Sequence, residues 1–599
     1  MAWECLGPDL YLYHDCCQVY ALRDGHRALL IDLGSGACLD ALDEIGVDEV
    51  AGVFFTHAHR DQCQGAPLAA ARGIPLHFAA RAREMIDPEL RQDYRRLSPC
   101  HLAYPSRFHP PQPIPEAIYD LAHWQIHPFG AFDLQVIEAP CHLDHHLVFR
   151  IDGPAGLTLF SGDAMHSAGK VHEAYCLETD HYTGNGARQA ADVLCQLRNL
   201  RPERLCPSHG PVLTTGIWEA FELTVDRLRW LGDLKDTILP QRPPVQRLVR
   251  MHLGAMHRIS DHLYLWGNSY FLLSDDGPIL MVDVQTQLPD SFHALYRETF
   301  GERLIEVVLV THIHCDHVMG IEELRRHHPL ECWALEHLVG GIERPYELAR
   351  PWLHNEPTRV DRPLAEGRPV HWHEYELTPY WFPGQTDLHA AYTLEVDGHR
   401  AMITGDNFYP AQQWGGTGGL CGFNGGHPAL WRKSAELVLA HEPEWLLASH
   451  LQPHRYRRED FRTVVAWTEE VTRAMQALAP DGNLERHHSP HFLHAFPYVQ
   501  PLGKLNAVKV SVTNTYPHPL MLAVAPVLPA GIGGDGEPRE LVLAPGETAA
   551  LDFVFQADPG LAGMHLVTFE VTANGEPWGQ MVECYLRGPG QYEGDKPAR

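Results

Sequence analysis

The sequence predicts two tandem α/β domains followed by a small all-β sandwich. Three observations carry this reading: a histidine- and aspartate-rich string that occurs twice, ordered matches between the two halves, and a switch to period-two patterning near the C-terminus. The strings are Thr56-His57-Ala58-His59-Arg60-Asp61-Gln62 and Thr311-His312-Ile313-His314-Cys315-Asp316-His317. Further positions correspond in the same order: Leu29-Leu30-Ile31-Asp32 with Leu280-Met281-Val282-Asp283, His142 with Gln385, Asp163 with Asp406, and His209 with His450. Matches that keep their order over such a distance mark the duplication of a whole domain.

The elements follow in chain order. Each copy opens on short apolar strands, Leu10 to Tyr13 and Leu263 to Leu265. Each string then follows a hydrophobic run, Val53-Phe54-Phe55 or Val307-Val308-Leu309-Val310, so its ligands sit on the loop leaving a buried strand. Strands alternate with helical stretches after that, and Phe461, Val464, Val465, Val471, Met475 and Leu478 recur at helical spacing. Copy one spans residues 1–239 and copy two 258–479. Pro240-Gln241-Arg242-Pro243-Pro244 reads as a stiff linker between them. Beyond a boundary near Pro480-Asp481-Gly482 the pattern changes. Val508, Val510 and Val512 alternate with polar residues, as do Leu551, Phe553 and Phe555, and Val567, Phe569 and Val571 precede an Asn574-Gly575 turn. Residues 500–590 are therefore expected to form an accessory β-sandwich, with a packing, oligomerisation or ligand-binding role, and dispensable for metal binding.

The 599 residues carry 47 basic and 76 acidic side chains, a formal charge of −29. That charge disfavours nucleic acid and anionic lipid as partners. No long apolar run suited to a membrane span is present, and the N-terminus lacks the basic and apolar regions of a secretory signal. A cytoplasmic protein acting on a small-molecule substrate, compatible with a homo-oligomer, is expected. Cys63, Cys141 and Cys315 adjoin the ligand motifs and read as packed thiols.

In His-x-His on an extended loop, two imidazoles can converge on one cation while the carboxylate two residues on turns to a second. This donor mix suits zinc, and also iron or manganese. Taken in order, the strings, the later loop histidine, the Gly-Asp pair and the final Ser-His resemble the metallo-β-lactamase superfamily. The resemblance implies an αββα sandwich in each copy, with two adjacent metal positions holding one or two zinc ions. It implies that His57, His59 and His142 form the first position of copy one, with Asp163 bridging to a second made by Asp61 and His209. In copy two it implies His312 and His314 in the first position, and Asp316, His317 and His450 in the second, bridged by Asp406. Two departures stand out: Gln62 and Gln385 each replace a histidine, so copy one is expected to keep a strong first position and copy two a strong second. His389, four residues after Gln385, reads as a packing residue, with a substitute-ligand role as the alternative.

The implied activity is metal-dependent hydrolysis of an ester, thioester or lactone by metal-activated water, with Asp61 and Asp316 as the catalytic carboxylates. The motifs look most like those of hydroxyacylglutathione hydrolase (glyoxalase II). Two rival readings remain. Copy one also resembles the mononuclear iron persulfide dioxygenases, and copy two, with its Gly-rich Trp414 to Gly419 stretch, is readable as a non-catalytic binding module. The Pro-rich stretch Phe108 to Pro113 is readable as a pocket wall or as a plain surface loop.

Overall fold

A computed structural model describes residues 3–86, 109–153, 156–178, 185–238, 254–286, 288–353, 356–410, 415 and 419–588. The Pro240 to Pro244 linker, Phe108, Trp414 and residues 416–418 lie outside these. In the first half, seven strands lie side by side in chain order, from Glu4–Gly7 at one edge to Ala117–Leu121 at the other. Five more form a second sheet ordered Arg204–Pro207, Gly156–Gly162, Leu147–Gly153, Phe132–Glu138, Ile126–Phe129. Leu12, Tyr20, Leu29 and Phe54 of the first sheet and Leu134, Val136, Phe149 and Phe160 of the second meet in one buried layer. The opposite face of the first sheet packs Val19, Leu30, Val53 and Phe55 against Cys63, Ala66, Ala69 and Met85. Helices therefore flank a pair of stacked sheets, the αββα arrangement.

The second half repeats this topology. Seven strands run in chain order from His257–Arg258 to Arg362–Leu364, and six from Val370–Trp372 to His454–Arg455. Its Ile305–Val310 strand is buried at all but Glu306, which is why the run reads as continuous rather than alternating hydrophobicity. The helices of the two halves share one core. Leu194, Phe221 and Leu228 of the first pack in the same cluster as Trp431, Phe461, Trp467 and Val471 of the second, and the Trp467 indole N–H donates to the Leu234 carbonyl (2.8 Å).

Nine strands between Leu493 and Arg587 make the C-terminal sandwich, a sheet of four facing a sheet of five. Its first strand, Leu493–Phe496, precedes the range expected from sequence and its second, Val499–Pro501, straddles the start of it; both are too short to carry a period-two signal. No helix among the described residues is long and apolar enough to cross a membrane.

Candidate metal centres

In both halves the string begins where a parallel strand ends, Glu49–Phe54 or Ile305–Val310, at the carboxyl edge where α/β sheets gather their ligands. The loop is fixed from below. The Thr56 N–H and hydroxyl donate to Asp32 (2.8 and 2.9 Å), and Ser208 Oγ donates to the same carboxylate (2.6 Å). Thr311 makes the matching pair to Asp283, both 2.7 Å. Asp32 and Asp283 both lie in the left-handed region, φ 57° and 58°, a conformation a non-glycine residue rarely adopts and one that marks a constrained site. A register shift beside Gly162 and another beside Gly405 end the strands that deliver Asp163 and Asp406. Both glycines have positive φ, and a side chain at either would overlap the imidazole of His146 or His389.

Around the first position of copy one, ligand atoms of His57, His142 and Asp163 lie within 4.8 Å of one another. His59 belongs to a second such group with His142, Glu173 and Cys176. His59 Nδ1 is 3.0 Å from His142 Nε2, and His57 Nε2 is 3.5 Å from Asp163 Oδ2. His57 Nε2 and His59 Nε2 are buried with no hydrogen-bond partner among the described residues. Orphaned buried nitrogens are costly unless something absent from the protein itself completes them, and a cation does so. Burial and neighbouring histidines push the pKa values of His57, His59 and His142 well below the ordinary range. All three are therefore neutral, with lone pairs available to a metal.

At the neighbouring position Asp61, Asp163, His209 and His172 bring ligand atoms within 4.8 Å of one another. His209 Nδ1 is 2.8 Å from Asp163 Oδ1, and His209 Nε2 is 3.2 Å from Asp61 Oδ2. Burial alone would lower the pKa of His209, but these two carboxylates outweigh it and raise it. Gln62 lies here too. Its amide nitrogen donates to Asp61 (2.9 Å) and Asp163 (3.4 Å).

Copy two shows the complementary pattern. His450 Nε2 lies 3.3 Å from Asp316 Oδ2 and 3.4 Å from Asp406 Oδ1. His317 Nε2 lies 3.6 and 3.5 Å from the same two carboxylates, while its Nδ1 is held 2.8 Å from Asp283. The Nε2 atoms of His317 and His450 have no hydrogen-bond partner among the described residues, so this position fits a metal. Asp316 is held at a pKa of about 2: burial opposes ionisation, but His317 and His450 overcome it. The first position differs. His312 and His314 group with Asp406, but the Gln385 amide donates to Asp406 (3.1 Å) and the Asn424 side chain lies 3.1 Å from His314 Nε2. Asn424 therefore occupies one nitrogen of His314, while His312 Nε2 is buried with no hydrogen-bond partner among the described residues.

His389 is not aimed at the metal position. Its Nε2 accepts the Asp406 N–H (3.3 Å), as His146 accepts that of Asp163 (3.1 Å). Cys63, Cys141 and Cys315 are buried. His172, Glu173, Cys176 and Asn424 belong to no sequence motif, and only the fold brings them to the ligands. Asp32 and Asp283 did leave a signal, the matched strand endings of the two copies.

The sandwich touches copy one's string directly. Arg60, between His59 and Asp61, is fully buried, and its guanidinium pairs with Glu583 (2.8 Å), both side chains being almost inaccessible to solvent. Its Nη1 donates to the Gln580 carbonyl (2.6 Å) and its Nε to the Pro110 carbonyl (3.0 Å). His109 also meets Glu583 (3.2 Å), so the described part of the Pro-rich stretch is wedged between copy one and the sandwich. This contact gives the sandwich a packing role directly at a ligand string. Its cause is a pairing across 523 residues of chain, which no local pattern could reveal.

Comparison with known proteins places these observations. The metallo-beta-lactamase superfamily profile matches residues 16–209, and the profile of the anti-Pycsar protein Apyc1 matches residues 255–330. An atrochrysone carboxyl ACP thioesterase of Aspergillus novofumigatus is 25% identical over 175 residues, 29% of this chain and 48% of that protein. A second, from Pseudocercospora fijiensis, is 28% identical over 171 residues, 28% of this chain and 45% of that protein. The chain thus spans about half the length of these relatives. Among solved structures, a subclass B3 metallo-beta-lactamase of Bradyrhizobium japonicum is 15% identical with a TM-score of 0.29, covering 38% of this chain and 94% of that one. A metallo-beta-lactamase of Cronobacter sakazakii is 12% identical with a TM-score of 0.31, covering 38% and 96%.

Proposed function

We propose that this chain, whose residues 16–209 form a metallo-beta-lactamase superfamily domain, is a metal-dependent hydrolase of an ester, thioester or lactone. The observation that carries the proposal is the convergence of neutral His57 and His142 with Asp163, with His59 joined to the group through His142 (3.0 Å). A zinc ion bound there would supply an acidified water and polarise the substrate carbonyl. Asp61 is suited to orient that water and take its proton. Its side chain is 20% exposed against 1% for Asp163, and His209 keeps it ionised against the opposing effect of burial. Asp163 ties the two positions together, and the Asp32 carboxylate holds Thr56 and Ser208, the residues preceding His57 and His209. The names of the two fungal relatives favour a thioester as the first bond to test.

Copy two supports a second role. With Asn424 on His314 and Gln385 in place of a histidine, its first position is poorly suited to a nucleophile-generating ion, which favours a structural or pocket-shaping part for residues 258–479. The domain limits 1–239, 258–479 and 500–590 belong to the same proposal.

Turnover of a panel of thioesters, lactones and esters by the zinc-loaded chain tests both statements. His142→Ala is expected to abolish turnover and His450→Ala to reduce it. A dead His450→Ala beside a normal His142→Ala would reassign catalysis to copy two. Sulfur-dependent oxygen uptake by an iron-loaded chain inert toward every ester would replace hydrolysis with the persulfide dioxygenase reading.

A further inference from the structure

We propose that His172 is a ligand of the second metal position in copy one, supplying the imidazole that Gln62 lacks. The inference deepens the metal-centre reading above and rests on it. In copy two the string itself provides His317, oriented by Asp283 and aimed at Asp316 and Asp406. In copy one the same string position is Gln62, which presents an N–H donor, not a lone pair, to Asp61 and Asp163. Its amide oxygen is buried with no hydrogen-bond partner among the described residues. His172 does offer an imidazole here: its ligand atom falls within 4.8 Å of those of Asp61, Asp163 and His209.

The position of His172 is built, not incidental. Its ring lies flat on that of His209, centroids 3.7 Å apart and planes 7° from parallel. The backbone just before it is tied to copy two: the Val171 N–H donates to the Leu478 carbonyl (3.0 Å), and Lys170 Nζ donates to that of Ala479 (2.7 Å). Residues 407–421, which follow Asp406 as this loop follows Asp163, contain no histidine. Each copy thus assembles two histidines and two carboxylates, a donor set that zinc accepts, from different elements.

Zinc content decides the matter without reference to activity. The full-length chain and its variants would be loaded with zinc, dialysed against a weak chelator and analysed for metal, with circular dichroism as the check on folding. His172→Phe keeps a ring to stack on His209 and removes the donor, and His172→Ala removes both. Each is expected to retain one zinc per chain fewer than the natural protein, and Gln62→His in the His172→Phe background is expected to restore it. Undiminished zinc in both single variants overturns the assignment and leaves the rest of the metal reading standing. Loss of zinc that Gln62→His fails to restore also overturns it, because His172 would then be supporting the fold and not binding the ion. A natural chain that holds no zinc removes both readings together.

Discussion

Asp32 and Asp283 occupy equivalent places but hold different things. Asp283 accepts from Thr311 and also fixes His317 through Nδ1, so it sets the tautomer and orientation of a candidate ligand. Among the described residues Asp32 is hydrogen-bonded to Thr56 and Ser208, which precede His57 and His209, and not to a ligand imidazole. Outer-shell partners of ligating histidines are commonly worth about 10–100-fold in metal affinity. Asp283→Ala is therefore expected to weaken zinc retention in copy two by about that factor, and Asp32→Ala to weaken copy one by less. Competition with a chromophoric chelator measures both, and equal losses would mean that the contact to His317 has no special weight. The contrast follows directly from the Gln62 substitution, since an imidazole at residue 62 would reach Asp32 as His317 reaches Asp283.

At the scale of elements, the short helix Arg60–Cys63 carries Asp61 and is too short to hold itself in place. Arg60 anchors it on the sandwich strand Glu576–Arg587. Burial would raise the pKa of Glu583, but Arg60 and His109 outweigh it and hold it at about 2, against an ordinary value of 4.5. A carboxylate depressed on folding stabilises the fold fully above its unfolded pKa, and that contribution fades as the pH falls through the folded one. Glu583→Gln is thus expected to cost about 3–5 kcal/mol near neutrality, as removal of one partner from a buried pair does. The gap in melting temperature to the natural protein should close between pH 4.5 and about 2. A gap that stays constant over that range would show that the pair contributes no electrostatic stability. The ligand strings were legible in the sequence because metal chemistry restricts both residue type and spacing, and strand burial left its mark in Val307 to Val310. Arg60 was not legible as an anchor: a lone arginine reads as solvated until Glu583 is brought to it by the fold. His172 and Asn424 were hidden for the same reason, since one lies on a loop and the other in a single 3-10 turn, Gly422–Asn424, whose paths are set by packing and not by periodicity.

At the scale of the whole molecule, the two α/β halves and the sandwich do not behave as beads on a string. Helices of both halves share a core, the loop before His172 hangs from the end of the closing helix of copy two, and the sandwich grips the string of copy one. The grip is one-sided, because the residue corresponding to Arg60 in copy two is Cys315, which offers no charge for a partner. A chain cut near Pro480 keeps every ligand named here but loses Glu583 and the Gln580 carbonyl, so Arg60 trades two fixed partners for water. Exposure to water spares the truncated protein an unpaired buried charge, so folding of the two α/β cores is expected to survive. What is lost is the fixed orientation of the segment carrying His59 and Asp61, and a small displacement of a catalytic group is costly to rate. The truncated chain is therefore expected to retain zinc in copy two, to release it from copy one more readily, and to lose at least about tenfold in turnover. Metal analysis of the truncated chain, with and without His450→Ala, separates the two sites. Full zinc in copy one together with undiminished turnover would show that Pro110 and the surrounding core hold Arg60 well enough alone, and that the sandwich is dispensable for metal binding.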